Sequence, residues 1–449
     1  MLWTCNRHVD NRIVPSQEIL PEHISFNLNI KPILEKSCIR CHTNDGAAPF
    51  PLRSHFDFKR KASTIAYVLQ YGIMPPWPAD TNYQRYVSEH IISNYDRKLL
   101  LKYLSNGCND TDATHEKAND RATANKLNST YRELTFPSIP IQGNNKDAFL
   151  MFKIKLNLPQ DTFIDRIEIV PDHKKIVHHV NLHLLQYVEK DQPRLLTSDA
   201  SVDMDQHDKL TAYQKLGIPT ASGQFPMLTP SVANYLPGAE SYRLPNGIGG
   251  YFVKKNSYLL IDNIHYGPSN KQLSDKSKIR IYFASQPPKR PMRELIIGTG
   301  GTGRLTNTVG GSSVPLFIPA HHIDTFILTQ KIEKPISLIN VNPHMHLLGK
   351  YFEAFAIQNG DTIPLIKIKK WDFRWQYFYT FKKIISLMPG AIIYIKGIFD
   401  NTAANPLNPN DPPIGVGERK MSMRTTDEMF QLNINYIDYQ LGDENISLQ

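Results

Sequence analysis

Two textures divide the chain. Between residues 26 and 108 the apolar residues fall at helical spacing. Ile30, Ile33 and Leu34 make one stripe; Ile91, Ile92, Tyr95, Leu99, Tyr103 and Leu104 make another. Ser88 is placed to cap the second helix and Gly107 to stop it. Residues 109–135 are polar throughout and read as a linker. Beyond them the apolar period drops to two. Short alternating or β-branched runs follow at Phe149–Leu156, Phe163–Val170, Val177–Leu185, Ser257–Ile264, Lys278–Ala284, Thr325–Leu328, Ile336–Val341, Ile392–Phe399 and Phe430–Ile437. Gly, Pro and Asn punctuate them, which is the pattern of all-β sandwiches. The length suits two, with a break inside 286–318, where Pro287, Pro288 and the glycine-rich Gly298–Gly303 stand. The predicted architecture is therefore multidomain. An N-terminal segment (1–25) leads to a small all-α domain (26–108). A linker (109–135) then joins it to two all-β sandwich, jelly-roll-like domains (136–290 and 291–449).

Composition narrows the function classes. With 41% apolar and 21% charged residues the chain reads as a soluble globular protein. It contains no run of about 18 apolar residues, so no membrane-spanning helix is expected. The formal charge of +9 is spread rather than clustered, which favours solubility over nucleic-acid binding. Gly298–Gly303 is not a phosphate loop, because no Lys-Ser/Thr follows it.

Cys38-Ile39-Arg40-Cys41-His42 has the spacing of a covalent c-type haem site: two thioethers, then a histidine held over the iron. The alternative for the same spacing is a zinc or redox CxxC. A second axial ligand is offered by Met74 on the proline-stiffened Gly72–Trp77 segment, with His55 and His90 as alternatives. The stretch Cys38–Trp77, with Ala48-Pro49-Phe50 and Met74-Pro75-Pro76-Trp77, resembles a cytochrome c domain of the kind fused to bacterial copper enzymes. Covalent haem is attached outside the bacterial cytoplasm, so an exported, periplasmic protein is expected. Met1–Asp10 shows no charged or apolar signal region, which places any export signal upstream. Leu2-Trp3-Thr4-Cys5 resembles the end of a lipoprotein signal, with Cys5 as a lipid anchor; an incidental cysteine is the alternative. Cys5 and Cys108 are the two cysteines left for pairing with each other.

The second half holds a set of histidines suited to metal binding. His178 and His179 are adjacent in a strand-like run, so they point to opposite faces unless the strand is distorted. His265 stands in His265-Tyr266-Gly267, and His344-Met345-His346 puts two imidazoles on one strand face. Met429 follows Asp427-Glu428. Three imidazoles suit one copper; two imidazoles and a thioether suit another, because sulfur stabilises Cu(I). His183 shares a strand face with His179 and reads as structural, and His321-His322 read as exposed.

In that order, His178-His179, His265-Tyr266-Gly267, His344-x-His346-Leu347-x-Gly349-Lys350 and Asp427-Glu428-Met429 resemble the copper type II, ascorbate-dependent monooxygenases. That family includes peptidylglycine α-hydroxylating and dopamine β-monooxygenases. The resemblance covers roughly residues 136–440 and implies two β-sandwich domains with one copper each. His178, His179 and His265 would hold an electron-transfer copper. His344, His346 and Met429 would hold the catalytic copper that binds O2 and attacks a C–H bond of a small organic substrate. Electrons would arrive through the tethered haem from an external donor, ascorbate-like or a redox protein. The sequence departs from the peptide-amidating members at Asn342 and Asn433, where an arginine and a tyrosine would clamp a substrate carboxylate, so a peptidylglycine substrate is not expected. A non-catalytic haem and copper electron-transfer protein is the alternative function.

Overall fold

Ser25 opens the first helical segment, its hydroxyl accepting from the Leu28 amide at 3.3 Å. A π-helical turn, Phe26–Ile30, passes directly into the α-helix Lys31–Ser37. Pro32 lies in the first turn of that helix, where its missing N–H costs nothing. The helix ends one residue before Cys38. Ser54 and Asp57 form a reciprocal capping box for His55–Arg60, and Ala62–Gln70 follows.

The fourth α-helix runs Asn94–Ser105, and its cap is Ser93 rather than the expected Ser88. Ser93 Oγ accepts from the Asp96 amide at 2.9 Å. Ser88 has φ 57°, a left-handed turn conformation that cannot serve as an extended N-cap. Gly107, with φ 74°, follows the helix end as expected. These helices share a core of Phe26, Ile30, Leu34, Phe58, Leu69, Leu99, Leu100 and Tyr103.

The computed structural model describes residues 19–109, 131–187, 199–239, 243–245, 247–300, 303–417 and 424–449. They divide into two units. One holds the helices, from residues 19–42, 50–75 and 91–109; the other holds residues 43–49, 76–90 and those from 131 onward. Residues 76–90 thus group with the β-rich unit: Ala79 bridges Ile368, Tyr86 bridges Phe381, and the Tyr86 hydroxyl donates to Leu365 O at 2.6 Å.

The second unit is built mostly of strands in several antiparallel sheets. A five-stranded sheet runs in the order Val202–Asp203, Ala148–Lys155, Tyr258–Tyr266, Val177–Gln186, Met227–Tyr235. It shares one core (Phe152, Val180, Leu182, Ile261, with Ile164, Ile167 and Ile281) with the sheet Arg132–Thr135, Lys278–Phe283, Thr162–Val170, Tyr251–Val253. The expected linker therefore ends before residue 132. Glu133 is drawn into the sheet by Lys278 and Arg280, at 2.7 and 3.2 Å. The rest of that linker, like Cys5 and the N-terminal segment up to residue 18, lies outside the described residues.

A second pair of sheets follows: Arg293–Gly298, Phe430–Asp438, Ile336–Met345, Tyr379–Leu387, and Ile323–Lys331, Ile392–Asp400, Gly349–Gln358, Asp361–Ile368. They close on Leu338, Val341, Phe352, Tyr379, Ile393, Phe399 and Phe430. Along Ile392–Asp400 every second residue is buried, the pure period-two pattern. Its inward Gly397 is required by packing, since a Cβ there would lie 2.6 Å from the Phe430 ring. No helix among the described residues is long and apolar enough to cross a membrane.

Candidate haem and metal sites

The CxxCH segment follows the Lys31–Ser37 helix as a tight turn. Cys41 N and His42 N both donate to Cys38 O, at 3.2 and 3.0 Å. His42 Nδ1 lies 2.8 Å from Phe50 O. A carbonyl only accepts, so Nδ1 carries the proton and Nε2 keeps its lone pair, as an iron ligand requires. Burial pushes the Cys38 thiol up to about 12 and also raises Cys41. A redox CxxC needs the opposite shift, toward thiolate. Met74 sits in the helical unit, its amide donating to Val68 O at 3.3 Å. Of the alternative axial ligands, His55 has Nε2 2.9 Å from Cys108 O. His90 belongs to the second unit, packed against Trp77 and Tyr377.

The adjacent histidines 178 and 179 are reconciled by a β-bulge. Val177 pairs with Tyr266 and His179 pairs with His265, leaving His178 as the extra residue. Both rings therefore reach His265, with centroids at 4.5 Å for His178 and 5.1 Å for His179. Among the described residues, a different trio comes together. Ligand atoms of Asp147, His178 and His265 all lie within 4.8 Å of one another, and Asp147 Oδ1 is 2.7 Å from His265 Nε2. His179 instead lines the cleft that also holds His344 and His346.

Each position of His265-Tyr266-Gly267 has a separate task. His265 faces the ligand group, and Tyr266 is buried with its hydroxyl donating to Asp275 Oδ2 at 2.7 Å. Gly267 lies against His178, where a Cβ would come 2.5 Å from Nε2. Gly267→Ala is therefore expected to displace the His178 ring and weaken metal binding there by about 10- to 100-fold, the cost of misorienting a ligand. Copper-competition titration against the wild type checks this; equal affinity would show that the ring does not need that space.

His344 and His346 are held from both sides. Gln376 Nε2 donates to Phe373 O at 2.7 Å, which turns Oε1 toward His344 Nδ1. His346 Nδ1 lies 2.9 Å from Asp427 O. Both Nδ1 atoms face pure acceptors and carry the protons, so both Nε2 atoms present lone pairs, 3.2 Å apart. Two nitrogens about 2.0–2.1 Å from one ion, roughly 100° apart, have that separation. Met345 points into the core between them, and Met429, also buried, lines the same cleft as the two rings.

Glu428 ties two segments together, its side-chain oxygens accepting from the amides of His346, Leu348 and Met429 at 3.0, 2.8 and 3.1 Å. Burial pushes its pKa up to about 8 even so. Gly349 admits Trp371 and Met345, whose atoms would lie 2.8 and 2.9 Å from a Cβ. Burial also holds the imidazoles below their usual range, His179 and His344 to about 3 and His265 to about 4, with His178 and His346 lowered as well. All five are neutral at pH 7, the form that binds metal.

The cleft has a volume of about 180 Å³ and is lined by polar and apolar side chains alike. Asn342 and Asn433 face each other across paired strands, with Asn433 Nδ2 donating to Asn342 Oδ1 at 3.4 Å. Asn342 Nδ2 is spent on Gln376 O and Tyr377 O. His183 pairs with Asp262 at 3.1 Å, as a structural histidine would, and His321 and His322 are exposed. Asp147 and Gln376 had no sequence signal, since each acts on residues remote in the chain, and Glu428 stood out only as the neighbour of Met429.

No family model matches the chain, and no curated protein matches it. Among solved structures, an allantoicase chain is similar over 67% of this chain and 81% of its own, at 10% identity and a TM-score of 0.16, too low to bear on fold or function.

Proposed function

We propose that the chain is a dicopper monooxygenase carrying a c-type haem, with a cytochrome c-like helical domain and two jelly-roll-like β-sandwiches. The observation that supports it most is the pair of Nε2 atoms of His344 and His346, 3.2 Å apart, as two ligands sharing one ion would be. Two bare lone pairs at that distance repel unless a cation lies between them. His344 and His346, with Met429, would hold the catalytic copper. Copper bound there would supply O2 binding and attack on a substrate C–H bond. The protein's part is positional. Gln376 and Asp427 O set the tautomers, and Glu428 ties the His346 segment to the segment that carries Met429. Asn342 and Asn433 stand where the peptide-amidating members would clamp a substrate carboxylate, so a peptidylglycine substrate is not proposed.

His178 and His265 would hold the electron-transfer copper; the resemblance implies His179 as its third ligand. Cys38 and Cys41 would carry the haem by thioethers, with His42 and Met74 as axial ligands. A haem on the same polypeptide supplies electrons at an effective concentration set by the chain rather than by diffusion. Covalent haem goes with an exported protein, and an external donor would reduce it.

The test is metal analysis of the purified full chain, followed by turnover with isotope-labelled O2 and a panel of organic extracts. The expected result is one iron and two coppers, haem that survives denaturing electrophoresis, and label in a product. Met429→Ala should abolish the label and leave the haem spectrum intact. Reducible haem and coppers with no label in any product would favour the electron-transfer alternative.

A further inference from the structure

We propose that the first metal site is a two-histidine, one-carboxylate site built from His178, His265 and Asp147, with His179 left to the cleft. Ligand atoms of these three residues fall within 4.8 Å of one another. They come from three separate places: the segment just before the strand Ala148–Lys155, the bulge in Val177–Gln186, and the end of Tyr258–Tyr266. Sheet register forces the meeting, because Phe149 pairs with His265 and His179 pairs with His265 from the other side. Phe149 also stacks on the His265 ring at 4.2 Å and 15°, fixing its plane. Asp147 and His178 are exposed while His265 is half-buried, so an ion can enter from solvent.

A carboxylate changes the chemistry of such a site. It is a harder donor than imidazole and brings a negative charge, so it favours the divalent ion over Cu(I). Two imidazoles and one carboxylate with open positions suit Cu(II) or Fe(II). The site would hold its metal more tightly when oxidised and would have a lower reduction potential than a site of three imidazoles. That suits a metal that passes electrons on. This last step rests on the monooxygenase reading; the ligand set does not.

The experiment uses the full chain, freed of metal with chelator and titrated with Cu(II) or Fe(II) alone. The wild type is compared with Asp147→Asn, which keeps an oxygen able to accept from His265 but removes the charge, and with His179→Ala. Asp147→Asn is expected to weaken the first site by about 100-fold and to change its Cu(II) EPR spectrum, whereas His179→Ala weakens it by less than about tenfold. An unchanged Asp147→Asn spectrum would mean that the carboxylate merely orients His265, and would overturn the proposal. So would a larger loss in His179→Ala than in Asp147→Asn. Neither readout requires turnover, so failure to find a hydroxylated product leaves this test standing.

Discussion

His346→Ala is expected to lower the copper content by one per chain and to reduce hydroxylation by about 10³-fold or more, the scale of losing a metal that supplies several kcal/mol of transition-state stabilisation. The haem spectrum and the first metal site should be unchanged. The expectation follows from geometry. His346 supplies one of the two opposed Nε2 atoms, and its ring is fixed by Asp427 O on one side and by Phe373, 5.5 Å away edge-on, on the other. Its amide is one of three that Glu428 gathers, so the backbone survives the substitution with that bond intact. Gln376→Leu is a useful companion, since it removes only the acceptor that sets the His344 tautomer and should weaken copper binding without abolishing it. Copper content by elemental analysis, read beside label incorporation, decides the matter. A His346→Ala protein that retains both coppers would sink the assignment of this site.

Asp443→Ala is expected to destabilise the β-rich unit by about 3–5 kcal/mol, the range for breaking a buried ion pair from one side. Arg290 Nη1 lies 2.7 and 2.6 Å from the two Asp443 oxygens, and both residues are buried. Ser337 Oγ and the Gln440 amide also donate to that carboxylate, at 2.5 and 3.0 Å. Burial works against the charge, but the Arg290 and Ser337 hydrogen bonds hold the Asp443 carboxyl below its ordinary value. The sign follows: a depressed carboxylate contributes stability above its unfolded pKa, near 3.9, and loses it as pH falls through the folded value. The difference between wild type and Asp443→Ala in the urea midpoint should therefore be full at pH 7 and shrink on acidification below about 4. Replacing both partners by apolar residues, Asp443→Leu with Arg290→Met, should recover most of the loss. If the double variant is as unstable as the single one, the cost does not come from a stranded guanidinium.

Much of the β architecture was legible from period-two alternation, because burial on one face of a strand is a local pattern. All nine predicted runs fall within observed strands or overlap them closely. Eight further strands in the large sheets were not anticipated. Gly349–Gln358 hides because its inward positions include the small Ala354 and Ala356. Its hairpin partner Asp361–Ile368 follows Asn359-Gly360, whose φ values of 55° and 89° make the tight turn that this dipeptide favours. Met227–Tyr235 carries Pro230, which argues against a strand in any local reading. Ser88 was misplaced as a cap because Ser93 offers the same chemistry five residues on, and only backbone conformation separates them.

By itself the sequence determined the candidate residues: a CxxCH turn after a helix, and a His-x-His whose side chains must share a strand face because the strand period is two. It also posed the conflict of His178 beside His179 without resolving it. Only the tertiary structure showed the bulge that lets both rings approach His265, the arrival of Asp147 from the segment before Ala148–Lys155, and the acceptors that hold the His344 and His346 rings in place. Each depends on the register between strands distant in the chain. Register is set by the packing of whole sheets, and no local pattern of residues contains it.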